Sequence, residues 1–102
     1  MIARLWHGWT KAENADRYEL LVATKVLPSF EHLKGYKGAY LLREDRESET
    51  EFVTLTLFDD LEAVRRFAGE DYQAAVVPAE ARQLLARFDE TSKHYEIVLT
   101  PS

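Results

Sequence analysis

Apolar and polar residues alternate in short runs along this chain, and longer amphipathic stretches separate those runs. The aromatic and branched residues of Ile2 to Trp9 predict a first strand. Thr10, with Glu13 three residues later, has the form of a capping box. A first helix is predicted behind it from apolar residues at three- and four-residue spacing: Ala12, Ala15, Tyr18, Val22 and Val26. Pro28 is expected to interrupt this helix, because proline lacks the backbone N–H that continues it.

The centre of the chain predicts a hairpin followed by a helix. Strands are predicted from about Tyr36 to Arg43 and from Glu51 to Phe58, joined by the charged, exposed connection Glu44 to Thr50. Asp59 or Asp60 is expected to cap a second helix. The buried stripe of that helix and its glycine stop are Leu61, Val64, Phe67, Ala68 and Gly69.

The last third of the chain predicts two helical pieces, Asp71 to Val77 and Ala79 to Ala86, on either side of Pro78. His94 to Leu99 is the predicted closing strand. The resulting order, βαββαβ, is typical of an α+β, ferredoxin-like sandwich with a four-stranded antiparallel sheet. We expect a single domain over residues 1–102, because this length suits one hydrophobic core.

Both faces of the predicted strands are apolar. In the first strand Leu5 and Trp9 point to one side and Trp6 to the other, and neither face of the third strand carries a charge between Phe52 and Phe58. One helical layer covers only one face of such a sheet. The other face would expose a larger apolar patch than soluble monomers usually tolerate, so we expect a two-fold homodimer that packs its sheet faces together.

Composition narrows the compartment and the partners. The absence of cysteine excludes disulfides, thiolate nucleophiles and iron–sulfur clusters, and it is compatible with a reducing compartment. A net charge of -5 argues against a nucleic-acid partner. Arg4 and His7 interrupt the apolar N-terminus, and no segment approaches the roughly 20 apolar residues needed to span a bilayer. We therefore expect a cytoplasmic protein with no membrane partner.

Six segments together resemble the antibiotic biosynthesis monooxygenase family of dimeric α/β barrels: MIARLWHGW, KVLPSF, GYKGAYLL, FVTLTLFDDLEAVRRFAG, DYQAAVVPAEARQLL and HYEIVL. The resemblance covers nearly the whole chain. It implies a ferredoxin-like homodimer with a cavity between sheet and helices in each subunit. In some branches of the family that cavity holds an aromatic substrate that molecular oxygen oxidises without flavin or metal, and in others it holds haem that is broken open. Further members bind small molecules or have no assigned activity.

The two oxygenase branches can be compared with this chain by position. The haem-degrading branch uses an Asn, a Trp and a His. At the positions of this chain that resemble those three, the residues are His7, Phe67 and Val77. Valine cannot ligate haem iron, so haem degradation by that arrangement is not expected, although His7 offers an imidazole from the opposite side. The quinone-forming branch uses an Asn, a Trp and a Tyr. Near the corresponding positions this chain has Thr54, Phe58 and Val64 instead. Any oxygenase activity therefore needs a different set of residues.

Two side chains are candidate catalytic groups. His7 is a candidate base or hydrogen-bond donor to a phenolic substrate, because histidine can change protonation near neutral pH. The alternative is a core or interface histidine that a neighbour satisfies. Tyr72 is a candidate donor to a substrate carbonyl, or else a packing residue. The expected substrate-binding residues are Trp9, Phe58, Phe67 and Val77, and the two tryptophans alternatively serve the core or the dimer interface.

Other cofactors lack a sequence signal. His7, His32 and His94 lie on different elements without a ligand spacing, so no metal is expected. A glycine-rich phosphate loop, a dinucleotide fingerprint and a serine elbow are all missing from the sequence, so no flavin or nicotinamide cofactor is expected. Two functions remain: a cofactor-independent monooxygenase acting on a small phenol-like molecule, and a non-catalytic small-molecule-binding or interaction protein on the same scaffold.

Overall fold

A computed structural model describes residues 1–101 of the chain. It contains one antiparallel sheet and three α-helices, whose bounds in chain order are β1 (Ile2–Lys11), α1 (Ala15–Leu21), β2 (Tyr36–Asp45), β3 (Glu49–Phe58), α2 (Leu61–Ala68), α3 (Ala79–Leu84), β4 (Leu85–Phe88) and β5 (Lys93–Glu96). None of the helices in the described part of the chain is long and apolar enough to cross a membrane.

The sheet has the strand order β2-β3-β1, and both β4 and β5 pair with the remaining edge of β1. Phe88 of β4 lies opposite Gly8, and Glu96 of β5 lies opposite Ile2. The predicted α+β ferredoxin-like arrangement is confirmed, with one difference: two short strands share the fourth position, so the sheet has five strands. Asp89 bridges the gap between those strands, because its N–H donates to the His7 carbonyl at 3.0 Å.

The segment between β1 and β2 is helical but irregular. A 3₁₀ turn (Ala12–Asn14) precedes α1, a π-helical turn (Val22–Val26) follows it, and a second 3₁₀ turn occupies Pro28–Phe30. The π turn is closed by a hydrogen bond of 2.9 Å from the Leu27 N–H to the Val22 carbonyl. Pro28 interrupts the helix as its missing N–H requires.

The ends of the first two helices differ in how they are capped. The predicted capping box at Thr10 and Glu13 is wrong, because β1 continues to Lys11 and buries Thr10 opposite Thr50. The cap predicted for the second helix is confirmed at Asp60, whose carboxylate accepts a hydrogen bond of 2.9 Å from the Ala63 N–H.

The C-terminal third departs furthest from the expected pattern. Residues 71–77 are not helical, because Ala74 forms an isolated bridge with Thr91 and the neighbouring amides bond to residues 90–92. The next helix ends at Leu84, since Leu85 joins the sheet opposite Thr10. The closing strand ends at Glu96 instead of Leu99. The hairpin connection is also shorter than expected, at residues 46–48.

Two clusters of buried side chains pack the helices against one face of the sheet. Phe52 packs with Tyr18 of α1 and Ala81 of α3, and Phe58 packs with Val64 of α2. Phe52, Phe58 and Val64 are fully buried. This side is the inner face of the sheet, and the opposite side, which the helices leave uncovered, is called the outer face below.

Candidate functional site

The alternation of β1 decides which of its side chains reach the inner face. Arg4 and Trp6 lie opposite Thr56 and Thr54 of β3, and all four side chains line the same cavity under the helices. Successive side chains of a strand point to opposite faces, so Leu5, His7 and Trp9 lie on the outer face.

The cavity lies between the sheet, the helical segment before β2 and the irregular segment 72–78. Its volume is about 60 Å³. Most of its lining is apolar or aromatic, with a few hydroxyl groups and one arginine: Arg4, Trp6, Tyr18, Val22, Val26, Leu27, Phe30, Thr54, Thr56, Phe67, Val76, Val77, Pro78, Ala81 and Ser92. Water is poorly stabilised by such a surface, so the lining favours an apolar ligand with one polar end.

Arg4 is the charged group of this cavity, and its residue is only 4% exposed. One terminal nitrogen, Nη1, donates to the Tyr72 carbonyl, and Nη2 donates to the Ala74 carbonyl at 3.0 Å. The guanidinium carbon lies 5.3 Å from the centre of the Phe67 ring, within cation–π range. Burial lowers the pKa of Arg4 to about 10, so the guanidinium stays protonated at neutral pH.

His94 contacts the same guanidinium, with Nε2 at 2.9 Å from Nη1 of Arg4. Arginine has no acceptor, so Nε2 must accept and the ring proton must be on Nδ1. Burial, and then the positive charge of Arg4, lower the pKa of His94 below its ordinary value. His94 is therefore a neutral neighbour that leaves the Arg4 charge unbalanced.

Two predicted substrate-binding residues, Phe67 and Val77, line this cavity. Phe58 does not line it but is fully buried beside Phe67, with ring centres 5.6 Å apart. Tyr72 lines a separate, wider hollow with His94, and their ring centres are 5.0 Å apart. The Tyr72 side chain is therefore not among the groups that face a ligand in the main cavity.

His7 and Trp9 lie on the opposite face of the sheet, which corrects their expected position in the cavity. His7 Nδ1 lies 2.9 Å from a carboxylate oxygen of Glu51 on β3, and its ring stacks on Trp9 at 5.9 Å. The guanidinium of Arg87 covers the Trp9 ring at 4.0 Å. The expectation failed because both faces of β1 carry large aromatic groups, so the alternation alone does not say which face the helices cover.

Sequence reasoning missed Arg4 as a site residue. It was visible as a lone charge among apolar strand residues, on the face that also carries Ile2 and Trp6. A charged residue between two large apolar residues on one strand face is a signal, since lysine and arginine are rarely fully buried without a partner.

The outer face has no helices over it. Its centre carries Leu5, Val53 and Leu55, and at its edges Tyr40 is 61% and Tyr95 52% exposed. Leu42 extends the same surface opposite Val53 and is 49% exposed. The two faces thus differ in kind: one encloses a cavity, and the other presents an open apolar surface.

A haem group does not fit the residues of the cavity. Haem iron takes His, Cys, Met or Tyr as its axial ligand. Tyr18 is the single residue of these types in the cavity lining, and burial raises its pKa to about 12, so it stays a neutral phenol. Within residues 1–101 no group of three or more His, Asp or Glu side chains is arranged to hold a metal ion.

The fold and the cavity define a class of small α+β proteins with a cavity between one sheet and its helices. Residues 1–91 match the family described as antibiotic biosynthesis monooxygenase. The chain belongs to this family. The resemblance seen in the sequence is thereby confirmed.

Solved structures show the same fold. A candidate antibiotic biosynthesis monooxygenase from Deinococcus radiodurans superposes with a TM-score of 0.70 at 14% identity, covering 100% of this chain and 97% of its own. A second candidate antibiotic biosynthesis monooxygenase, from Bacillus cereus, has a TM-score of 0.68 at 11% identity, covering 99% of this chain and 96% of its own. The heme-degrader MhuD from Mycobacterium tuberculosis, solved with two hemes in its active site, has a TM-score of 0.68 at 18% identity over the full length of both chains. No curated protein matches the sequence.

Proposed function

We propose that this chain is a cofactor-independent monooxygenase that oxidises a small phenol-like molecule in the cavity of the inner face. The observation that carries the proposal is the cavity itself, between the sheet and the helices, with Trp6, Tyr18, Phe30 and Phe67 among its apolar lining residues. Family membership supports an oxygenase on this scaffold, and the cavity supports an aromatic ligand.

The chemistry needs an electron-rich ligand and a dry site. A phenol that loses its proton is a better electron donor to molecular oxygen, and exclusion of water protects the reactive intermediate. In the overall reaction one oxygen atom enters the ring, and the other leaves as water with two hydrogens from the phenol, which gives a quinone. Molecular oxygen is the only oxidant required.

The base expected from the sequence, His7, does not lie in the cavity. No carboxylate or histidine lines the cavity in the described part of the chain, and His7 faces the other way. We therefore propose that the phenol gives its proton to water as it enters the cavity, and that the cavity stabilises the resulting anion without a side-chain base in contact with it.

The size of the cavity restricts the ligand. A volume of about 60 Å³ holds a few water molecules, each of which needs roughly 10–15 Å³. A ring-sized ligand therefore requires an outward shift of the lining. Val76, Val77 and Pro78 belong to no helix or strand, so this part of the lining can shift without disrupting one.

We also propose a homodimer in which the outer faces pack together. The support is the open apolar surface around Leu5 and Leu55, which two subunits would cover at once. His7 and Glu51 lie at the border of this surface and would be partly desolvated there.

A non-catalytic binding protein is the second candidate function. It is favoured by the missing base in the cavity and by the replacement of the polar residues that both oxygenase branches use. Oxygen consumption separates the two candidates, since a binding protein would hold the same aromatic ligand without turnover.

The experiment is an oxygen-electrode assay of the purified protein with a panel of mono- and bicyclic phenols and hydroquinones. Turnover should appear with at least one compound, and the product should have gained one oxygen atom and lost two hydrogens by mass spectrometry. Thr54→Phe, which fills the cavity, should abolish it, while the size-matched control Val98→Phe, at a position 88% exposed, should not. Binding without oxygen uptake across the panel would favour the binding protein.

A further inference from the structure

The Arg4 guanidinium is a buried cation without a counter-ion. Among residues 1–101, no carboxylate lies within 4.0 Å of it. Its recorded partners are two backbone carbonyls and the neutral ring of His94. Removing a charge from water costs several kcal/mol unless an opposite charge or enough hydrogen bonds compensate, so a site of this kind needs an explanation.

The guanidinium also has hydrogen-bonding capacity left over. It carries five N–H donors. The three contacts it makes use two donors on Nη1 and one on Nη2, and the described residues offer no partner to Nε or to the second donor of Nη2. Arg4 lines the cavity, so these donors are available to a molecule inside it.

A purely structural role explains only part of this arrangement. Tying the Tyr72 and Ala74 carbonyls to β1 needs two N–H donors, and a neutral amide could supply them without the cost of a buried charge. The Phe67 ring lies over the guanidinium, with its centre 5.3 Å from the guanidinium carbon, while the unused donors lie at the edge of the guanidinium plane. A rigid fork of donors is the geometry that binds planar oxyanions in two places at once.

We propose that Arg4 binds the anionic group of the ligand, and that the cavity therefore takes an aromatic molecule carrying either a carboxylate, whose two oxygens can each accept from the fork, or a phenolate, whose single oxygen can accept from both donors. This inference rests on the proposed ligand cavity and names the charge of the ligand. The apolar lining holds the ring, and Arg4 supplies the missing opposite charge at one end. For a phenol, the same charge would stabilise the deprotonated form that reacts with oxygen.

The first test compares benzoate with benzamide, a neutral molecule of nearly the same shape, by calorimetry under anaerobic conditions. Benzoate should bind about tenfold more tightly or better, since hydrogen bonds to charged groups are worth about 1.5–3 kcal/mol. Equal affinities, or no binding of either compound at millimolar concentration, would overturn the carboxylate form of the proposal.

The second test reads the phenolate form with 4-nitrophenol, whose anion absorbs in the visible. The pKa of the bound compound should fall below its value in free solution, because a nearby cation favours the anion. If benzoate alone meets its expectation, the ligand class is a carboxylate, and if 4-nitrophenol alone does, it is a phenolate. If neither does, Arg4 is not an anion-binding group.

Variants test whether Arg4 causes the benzoate preference and the pKa shift of 4-nitrophenol. Arg4→Met should remove both the benzoate preference and the pKa shift, Arg4→Lys should keep part of each, and Arg17→Met, at an exposed arginine of α1, should change neither. If Arg4→Met does not fold, the two measurements on the unaltered protein still decide. Thr54→Phe should weaken benzoate and benzamide alike. If both compounds bind with equal strength and Thr54→Phe weakens both, the cavity is the binding site but Arg4 does not select an anionic ligand.

Discussion

The two faces of the sheet are built from the same strands but do opposite things. On the inner face Phe52 and Phe58 are fully buried and the helices leave a small cavity beside them. On the outer face Leu55 and Val53 have similar chemistry but stay partly exposed, because no helix lies over them. Apolar residues alone therefore do not define a site. What distinguishes the inner face is an enclosing layer and a buried charge, and what distinguishes the outer face is its openness.

The largest expected effect is on the outer face. Leu55→Glu places a charge at the centre of the proposed dimer surface in both subunits and should convert the dimer to monomer at micromolar concentration. An unpaired charge buried at an interface costs several kcal/mol. Sedimentation velocity measures this, with Leu20→Glu, at a helix position 64% exposed, as the control. If the unaltered protein sediments as a monomer, the proposed homodimer through the outer faces is wrong.

Next in size is a change on the inner face. Phe58→Ala should lower the free energy of unfolding by about 3–5 kcal/mol, because it removes a fully buried ring and leaves a cavity. Urea unfolding measures the loss. Tyr40→Ala, on the exposed edge of the outer face, should cost much less in the monomeric Leu55→Glu background. Similar losses at both positions would mean that the outer face is packed within the subunit.

The pH dependence tests the Arg4 environment. Burial and Arg4 lower the pKa of His94, so the unfolded chain takes up a proton near pH 6.5 while the folded chain does not. Stability should therefore fall as the pH drops below about 6.5, by at most about 1.4 kcal/mol per pH unit for this one proton, until the folded-state pKa is reached. Urea unfolding from pH 7.5 to 5 should show a smaller slope for His94→Gln, which keeps an acceptor for Arg4. Identical slopes would contradict the assignment of a neutral His94.

The smallest effect is expected at His7. Its contact with Glu51 is partly exposed, and such pairs contribute about 0–1 kcal/mol. His7→Ala should leave the affinity for benzoate unchanged and lower Tm by a few degrees at most, as measured by calorimetry. A loss of ligand binding in this variant, with Trp9→Phe as a companion on the same face, would show that the outer face contributes to the site after all.

The order of elements and the two-sided character of the sheet could be predicted from sequence, because the period of apolar residues identifies strands and helices. The side chains of β1 that face the cavity could not be predicted. Leu5 and Trp6 are both large and apolar, so nothing in β1 itself says which face the helices cover. Phe67 and Val77 do line the cavity as expected, and their role in binding a substrate stays a prediction.

The helix predicted at residues 71–77, before α3, was wrong for a different reason. Ala74 and its neighbours have helical composition, but their backbone groups bond to residues 90–92, which are distant in sequence. Such tertiary pairing overrides local propensity and leaves no local signal. Arg4 depends on the same pairing, since its carbonyl partners Tyr72 and Ala74 belong to this segment.

The π turn at Val22–Val26 makes chain length a determinant of ligand choice. Its wide turn brings Val22, Val26 and Leu27 to the same cavity. Deleting one residue between positions 23 and 25 would give the hydrogen bond from the Leu27 N–H to the Val22 carbonyl ordinary four-residue spacing, so Leu27 would keep nearly its present direction while the wide turn closes. A one-residue deletion would therefore change the shape of this wall of the cavity while Val22, Val26 and Leu27 all remain.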